Sequence, residues 1–379
     1  MLLLLNKPKT SFLLKQYLGF GMKIAHVVET WIGGVANYVT SLIVEQLARG
    51  HEVILVCDSR NIPNMPLALE GVAIANYESS RNPLSFVRIA RKVKKLVDEI
   101  DADIVHCHSS YPGVYVRLQR MHGRKILYTP HAWAFMKKDI SRFTALGFAL
   151  VERLLAHRTN RILCMSFDEV RAARRYRIDM DKIELLYTGI PSEAGREQSA
   201  LSPQPLSTIA RPIQVGYFGR LDYQKGFDIV VDAVPLLNEG IHVHVFGVSV
   251  RGGVDARGHE SRMTHHGWMD PEGARRAMQQ MDVIVVPSRW EGLALVPIEA
   301  MCAGKVLVVS CESSLPEQVI HGYNGLILRQ LTGECLAREL NALSIDECRR
   351  MGQNSRHVFD QAFSADKFFR TLMNCYENA

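Results

Sequence analysis

Long apolar runs and paired-cysteine motifs are both missing from this chain of 379 residues. None of its eight cysteines forms a Cys-x-x-Cys pair. This argues against a zinc ribbon or a thioredoxin-like redox site and is typical of reduced thiols. The apolar run at residues 2–5 ends at Asn6, so it is too short for a signal-peptide core or a membrane span. We therefore expect a cytoplasmic protein.

A large excess of charge of one sign is also missing. The formal net charge is +6, with 45 lysines and arginines against 39 aspartates and glutamates. Basic stretches occur at 88–95 and 171–177, and the apolar stretch 143–155 carries few charges. Most charged helix faces are only solvated, but a basic and partly apolar region also suits an anionic membrane surface. No nucleic-acid-binding motif accompanies the charge, so we expect no nucleic-acid partner.

The first glycine-rich loop lacks the Gly-x-Gly-x-x-Gly turn of dinucleotide-binding enzymes, which disfavours a dinucleotide-dependent oxidoreductase. A strand predicted at 23–28 is followed by a loop that ends Gly33-Gly34-Val35. Two adjacent glycines before a helix let a backbone amide approach a phosphate or a sugar. An ordinary tight turn is the alternative interpretation of the same glycines.

Length and patterning predict two α/β domains. The chain exceeds one ordinary domain, and its 47% hydrophobic and 22% charged content is typical of a globular protein. Short apolar strands alternate with helical patterns in both halves, which predicts two parallel sheets covered on both faces. Prolines and serines cluster between Gly189 and Arg211, which predicts the joint there.

The predicted strand 283–287 precedes two glutamates, Glu291 and Glu299, that are separated by seven residues. Pro297 suits the first turn of a helix, because its missing N–H has no intrahelical partner there. We therefore place Glu291 on a loop and Glu299 in the first turn of the next helix. In open α/β sheets, ligands bind at the carboxyl ends of the strands. A helix N-terminus at that edge favours an anionic ligand. Alternatively, Glu299 offsets the helix dipole or closes a capping box.

A basic loop follows another predicted strand, at 213–218. Arg220 offers a planar fork for phosphate oxygens, Lys225 a compact charge, and Gly226 a backbone that can turn closely. Alone, such a loop is more often merely solvated. Together with the two glutamates, it predicts a site for a diphosphate attached to a group rich in hydroxyls.

Metal-ligand patterns are weak. The segments 106–108 and 242–244 both read His-x-His, which places two side chains on one face of a strand. Neither has a further ligand at a recognisable spacing, so we interpret them as core or rim histidines. The Asp-x-Asp segments 101–103 and 179–181 precede their strands and are interpreted as solvated turns.

These motifs together resemble the retaining, nucleotide-sugar-dependent glycosyltransferases of family 4. Arg220, Lys225-Gly226, Glu291 and Glu299 stand where that family carries its signature residues, and the likeness covers nearly the whole chain from Met22. Further similar segments are 23–28, 33–35, 103–108, 128–131, 315–317 and 322–326. Two departures make the donor harder to assign. The loop Gly292-Leu293-Ala294 replaces Gly-Phe-Gly or Gly-Phe-Pro, and Ser313-Ser314 replaces a pair of glycines.

The resemblance implies the α/β GT-B fold, in which two Rossmann-like domains face a central cleft. It also implies retention of the anomeric configuration, and no cofactor or obligatory metal. The predicted segments are an N-terminal extension 1–21, an acceptor-side domain 22–195, a linker 196–211, a nucleotide-sugar-binding domain 212–363, and a helix 364–379 that crosses back to the first domain. The extension comes either from a start placed upstream of the native one or from a peripheral anchor.

The resemblance further implies transfer of a hexose-type sugar from a nucleoside diphosphate, UDP or GDP, to an acceptor hydroxyl. Arg220 and Lys225 are expected to stabilise the departing diphosphate. Glu291 is expected to contact sugar hydroxyls or to stabilise positive charge at the anomeric carbon, and Glu299 to accept hydrogen bonds from the ribose. The remaining expected contacts are His131 as a hydrogen-bond donor beside the sugar, the backbone of Met269 in the base pocket, and the amides of Gly34, Gly292, Leu293, Ala294 and Leu295.

By analogy, we expect a lipid-linked saccharide acceptor in surface polysaccharide synthesis, at the inner face of the cytoplasmic membrane. Two other functions stay open. Another GT-B enzyme, such as a nucleotide-sugar epimerase, would convert the donor without an acceptor. A non-catalytic nucleotide-sugar-binding or membrane scaffold would bind the donor without turnover.

Overall fold

The computed structural model describes residues 21–29, 31, 34–64, 66–80, 82–137, 140–191, 211–249 and 261–379. The predicted extension lies outside them except for Gly21, as does the predicted linker except for Arg211. The chain divides into two compact units. The first runs to Met165 and adds Glu169–Leu186 and Leu372–Ala379, and the second comprises Ser166–Asp168 and Tyr187–Thr371.

The first unit contains a seven-stranded parallel sheet of order β3-β2-β1-β4-β5-β6-β7. Its strands are β1 Lys23–Val28, β2 Glu52–Asp58, β3 Ala73–Tyr77, β4 Ile104–His108, β5 Lys125–Thr129, β6 Arg161–Cys164 and β7 Ile183–Leu185. Its helices are α1 Gly34–Ala48, α2 Phe86–Ile100, α3 Ser110–Arg117 and α4 Arg142–Ala156, and α5 Phe167–Arg175 is shared between the units. The central strands are buried on both faces, which explains their near-continuous apolar sequences.

The second unit contains a six-stranded parallel sheet of order β10-β9-β8-β11-β12-β13. Its strands are β8 Ile213–Phe218, β9 Ile241–Phe246, β10 Met263–Gly267, β11 Val283–Val286, β12 Val306–Ser310 and β13 Gly325–Leu328. Its helices are α6 Phe227–Ala233, α7 Pro271–Gln279, α8 Leu295–Cys302, α9 Gly333–Asn341 and α10 Ile345–Ala362. The last helix, α11 Ala365–Glu377, is divided between the units after Thr371.

Both sheets reverse their strand order once. The reversal falls between β1 and β4 in the first unit and between β8 and β11 in the second. At such a switch point the two loops at the carboxyl ends of the strands run in opposite directions, which leaves a crevice that binds ligands in open α/β sheets. The prediction of two Rossmann-like α/β domains is confirmed. Of the helices that the structure describes, none is long and apolar enough to cross a bilayer.

Candidate functional site

The two loops at the switch point of the second unit are hydrogen-bonded to each other. One follows β8 and the other follows β11. The amide of Arg289 donates to the carbonyl of Gln224 over 2.8 Å, and Nε2 of Gln224 donates to the carbonyl of Trp290 over 3.3 Å. The guanidinium of Arg289 also makes a bidentate pair with Asp228, at 2.6 and 2.8 Å. The basic loop and the glutamate loop therefore form one fixed surface.

Gly226 is the residue that allows this close approach. Its φ of +69° lies in the left-handed region, and an added Cβ would lie 2.1 Å from the carbonyl oxygen of Pro287. A side chain at this position would therefore meet backbone as well as conformational strain. The predicted role of Gly226 in a tight turn has a specific steric cause, which is the neighbouring loop.

Lys225 and Glu291 meet at the junction of the loops. Lys225 Nζ lies 2.7 Å from Glu291 Oε1, and the two side chains are 27% and 9% exposed. The amide of Lys225 donates to Oδ1 of Asp222 over 2.9 Å, which fixes the loop from within. The structure thus places a cation and a carboxylate, 66 residues apart in sequence, in direct contact at the edge where ligands bind.

Arg220 lies on the same loop with its guanidinium held by two side chains. Nη2 donates to Gln224 Oε1 over 2.7 Å and lies 3.2 Å from Asp222 Oδ2. The side chain is 47% exposed, so it remains accessible to an anion. The sequence prediction missed Asp222 and Gln224 as positioning residues, although their spacing from Arg220 in a short loop was a usable signal.

The loop 292–294 ends at the N-terminus of α8. Ala294 is the N-cap residue, with φ −74° and ψ 127°, and no side chain caps this helix within the described part of the chain. Nε2 of Gln318 donates to the carbonyl of Ala294 over 2.9 Å, and the hydroxyl of Ser314 donates to the carbonyl of Gly292. Buried Ser314 therefore supports the loop from behind, and the uncapped helix N-terminus remains suited to an anion.

Glu299 lies one turn further along than expected. Helix α8 begins at Leu295 and has no acidic residue in its first turn, so the placement of Glu299 in the first turn is wrong. The reason is that Gly292–Ala294 stay outside the helix, which makes Glu299 its fifth residue. The capping-box alternative is therefore also excluded for this residue. The side chain of Glu299 is exposed on the surface of this helix.

Met269 follows β10, which is two strands away from β8 in the sheet. It is partly buried and packs against the apolar cluster that includes Phe246 and Ile298. Gly267 precedes it with φ +73°, and Asp270 caps α7 through the amide of Gly273. The peptide of Met269 therefore lies in a well-fixed loop.

Gly34 is the first residue of α1, at the carboxyl end of β1 and therefore at the switch point of the first unit. An added Cβ at Gly34 would meet no atom within 4 Å, so packing within the described chain does not require glycine here. The open space above this helix N-terminus is what close approach of a ligand would need. Gly33 lies outside the described residues.

His131 follows β5 in the first unit and is half-buried. Both His131 and Ala132 have positive φ, 52° and 73°, and the amide of Ala132 donates to Oε1 of Glu169 over 2.6 Å. Glu169 also accepts from the amide of Met165 over 2.9 Å, so this buried carboxylate fixes an uncommon backbone. Burial lowers the pKa of His131 to about 3, which keeps the ring neutral at pH 7. Sequence reasoning missed Glu169.

The interpretation of His106 and His108 as core histidines is confirmed, because both side chains are buried. The sequence did not show that a third histidine joins them. Strand β1 pairs with β4 in a register that places His26 opposite His106. The ligand atoms of His26, His106 and His108 lie within 4.8 Å of one another, and all three side chains are buried. The pairing of strands that are far apart in sequence hid this cluster. Of the two Asp-x-Asp segments, 101–103 supplies Asp103 to the amide of Lys23 over 2.8 Å, which is a structural contact.

Comparisons with known proteins identify two glycosyltransferase domains in this chain. Residues 32–194 match the family described as Glycosyltransferase Family 4, and residues 202–358 match Glycosyl transferases group 1. A Klebsiella pneumoniae protein described as "Uncharacterized 41.2 kDa protein in cps region" is 25% identical over 315 residues, which cover 81% of this chain and 86% of that protein. "Putative glycosyltransferase EpsD" of Bacillus subtilis is 25% identical over 310 residues, with 77% and 81% covered.

Two solved structures share the fold. Anabaena Alr3699/HepE in complex with UDP has a TM-score of 0.77 and 17% identity, with 94% of this chain and 100% of that chain covered. The lipopolysaccharide outer core galactosyltransferase WaaB has a TM-score of 0.70 and 19% identity, with 93% and 99% covered. One family match covers most of the first Rossmann-like sheet, and the other covers the second sheet. The chain is therefore a glycosyltransferase with the GT-B fold.

Proposed function

We propose that this glycosyltransferase transfers a hexose-type sugar from a UDP- or GDP-sugar to an acceptor hydroxyl, with retention of the anomeric configuration. The contact between Lys225 and Glu291 at the switch point of the second unit carries this proposal. In this proposal Lys225 is the cation that binds the diphosphate, and Glu291 beside it is the carboxylate that faces the sugar. Support comes also from the similar HepE structure, which holds UDP.

The leaving diphosphate gains negative charge in the transition state, so fixed cations next to it lower the barrier. Lys225 is largely shielded from water, which strengthens its interaction with that charge. Arg220 adds a planar fork that Gln224 and Asp222 hold in place. Each charge-assisted hydrogen bond contributes about 1.5–3 kcal/mol. These two cations supply positive charge without a divalent ion, so we propose that transfer needs no metal.

The remaining site residues are assigned to parts of the donor one by one. Glu291 would contact sugar hydroxyls or stabilise positive charge at the anomeric carbon, from its place beside Lys225. The amides at the start of α8, from Gly292 to Leu295, would bind the diphosphate. Glu299, exposed on the same helix, would accept from the ribose, and the backbone of Met269 would contact the base. We also propose Gly34 as a contact of the diphosphate and His131 as a contact of the sugar.

Helix α4 supports the proposal of a lipid-linked acceptor at a membrane surface. The large apolar side chains on its solvent side follow helical spacing, at Phe143, Leu146, Leu150 and Leu154, and Phe143 is 87% exposed. Its one acidic residue, Glu152, is buried, so the exposed charges of α4 are basic. An apolar stripe beside basic side chains suits an anionic bilayer surface.

The basic stretch 88–95 contributes less than the sequence implied. Lys94 and Lys95 pair with Asp98 and Glu99 one turn later, over 2.5 and 3.7 Å. This internal neutralisation makes α4 the stronger candidate for membrane contact. The cps region named for the similar Klebsiella protein supports a role in surface polysaccharide synthesis.

The test is release of nucleoside diphosphate from a panel of nucleotide sugars without acceptor, with and without chelator. We expect slow, chelator-resistant release from one donor, lost in Lys225→Ala and retained in the control Lys367→Ala, which changes an exposed lysine of α11. Conversion of the donor to a stereoisomer would favour an epimerase. Tight donor binding without turnover, unaffected by Glu291→Ala, would favour a scaffold. Neither release nor binding would overturn the proposed site.

A further inference from the structure

A buried row of polar side chains extends inward from His131. Its Nε2 lies 3.1 Å from Nδ1 of His108, and Nε2 of His108 lies 2.9 Å from Nδ1 of His26. Nε2 of His26 lies 2.8 Å from the carboxamide oxygen of Gln46. His108, His26 and Gln46 are fully buried. Three hydrogen bonds therefore connect a half-buried site histidine to the interior of the first unit.

The row continues on the other side of Gln46. Its Nε2 donates to the hydroxyl of Tyr376 over 3.3 Å, and that hydroxyl lies 2.7 Å from Nδ1 of His106. Nε2 of His106 lies 2.8 Å from the hydroxyl of Thr129. These partners lie on β1, β4, β5, α1 and α11, so the row is fixed by regular elements of the fold.

All four imidazoles are neutral at pH 7. Burial lowers the pKa of His26 to about 4 and that of His131 to about 3. Burial, together with the neighbouring imidazoles, also holds the pKa values of His106 and His108 well below 6.5. The groups that hydrogen-bond to these rings are a carboxamide and two hydroxyls, and Tyr38 packs edge-on against His131 and His108. A neutral imidazole has one donor nitrogen and one acceptor nitrogen.

This restriction orders the protons from one end of the row to the other. The carboxamide oxygen of Gln46 can only accept, so His26 carries its proton on Nε2 and accepts on Nδ1. His108 must then donate from Nε2 and accept on Nδ1. His131 in turn donates from Nε2, which leaves a lone pair on its Nδ1. Turning the Gln46 carboxamide by 180° would reverse every bond and leave all groups satisfied, so this one amide decides the direction.

We propose that Gln46, His26 and His108 are positioning residues that hold His131 with its proton on Nε2, so that Nδ1 accepts a hydrogen bond from a hydroxyl of the donor sugar. This rests on the proposed function, since it needs a sugar beside His131. It reverses the donor role expected for His131 from the sequence. A metal ion at His26, His106 and His108 is the competing use of the same atoms, but binding it would break the bonds of the row.

The direct test is solid-state 15N NMR of the full-length protein labelled with [15N]histidine, at pH 7. The His131 signals are those lost in His131→Asn. We expect a protonated Nε2 and an unprotonated Nδ1, and a mixture of both forms in Gln46→Met, which keeps the side-chain volume but removes the acceptor. The control His157→Asn changes an exposed histidine outside the row and should leave the His131 signals unchanged.

Kinetics separate this proposal from the proposed function. In Gln46→Met we expect kcat/KM for donor hydrolysis to fall about three- to tenfold, as for loss of one neutral hydrogen bond, while affinity for nucleoside diphosphate alone stays unchanged. A proton on Nδ1 of wild-type His131, an unaltered His131 tautomer in folded Gln46→Met, or a stoichiometric metal in the purified protein would each overturn the proposal. The NMR result holds whether or not the protein hydrolyses any donor.

Discussion

Lowering the pH from 7 to 5.5 should destabilise the first unit far more than one ordinary titration would. His26, His106, His108 and His131 all have folded pKa values below 6.5, because burial disfavours their charged forms. In unfolded chains a histidine has a pKa of about 6.5. Below that pH the unfolded chain therefore binds protons that the folded unit does not bind. The contribution of these four histidines to the unfolding free energy is fully present above pH 6.5 and is lost as the pH falls toward 4.

The expected loss follows from the number of groups. At one pH unit below its unfolded pKa, one histidine that stays neutral in the fold lowers the free energy of unfolding by about 1.4 kcal/mol. Four such groups give about 6 kcal/mol at pH 5.5. Whole domains have unfolding free energies of only about 5–15 kcal/mol. The carboxylate with the strongest lowering in this unit, Asp58, titrates below this pH range and does not offset the loss.

Urea denaturation at several pH values measures this loss. Trp31 and Trp133 are buried in the first unit, so their fluorescence in the double variant Trp268→Phe and Trp290→Phe reports on that unit alone. We expect the unfolding free energy to fall with a slope approaching four protons between pH 6 and 5. The control His157→Asn changes an exposed histidine and should leave the slope unchanged. A slope of one proton or less would refute the reasoning, because the buried row would then tolerate charge.

Three further changes test other parts of the structure. Glu299→Ala should weaken nucleoside diphosphate binding about tenfold or more, as for loss of a hydrogen bond to a charged group, and leave stability unchanged, as calorimetric titration and urea denaturation would show. Phe143→Ser with Leu150→Ser should abolish flotation with phosphatidylglycerol vesicles but keep donor hydrolysis. The control Ile320→Ser, which alters an exposed residue of the second unit, should keep both flotation and donor hydrolysis. Gly226→Ala should lower the unfolding free energy by more than about 1 kcal/mol, because its Cβ would clash with the Pro287 carbonyl; an unchanged urea midpoint would contradict this.

Much of the fold could be predicted because buried parallel strands have nearly continuous apolar sequences. The contact of Lys225 with Glu291 could be anticipated for the same reason, since both follow such strands and strand ends meet at one edge. The position of Glu299 within its helix could not be predicted, because it depends on where α8 begins. The three residues 292–294 stay in the loop, and this sets the start of the helix at Leu295.

The histidine cluster could not be predicted because it depends on long-range pairing. His26 and His106 become neighbours only when β1 and β4 adjoin in one register. Glu169 escaped notice because its sequence position in a polar helix resembles a solvated face, whereas in the fold it is buried and supports the backbone at Ala132. Local periodicity carries no information on either contact.

The most direct test of the proposed site is calorimetric titration of the protein with UDP and with GDP. For the nucleotide that binds, we predict about tenfold or more weaker binding in Lys225→Met, as for loss of a charge-assisted hydrogen bond, and unchanged binding in Lys367→Met. Glu291→Gln should bind the diphosphate at least as tightly as the wild type, because it removes the carboxylate that pairs with Lys225, yet release sugar more slowly. Equal affinities of the wild type and Lys225→Met would contradict the assignment of the diphosphate to this loop.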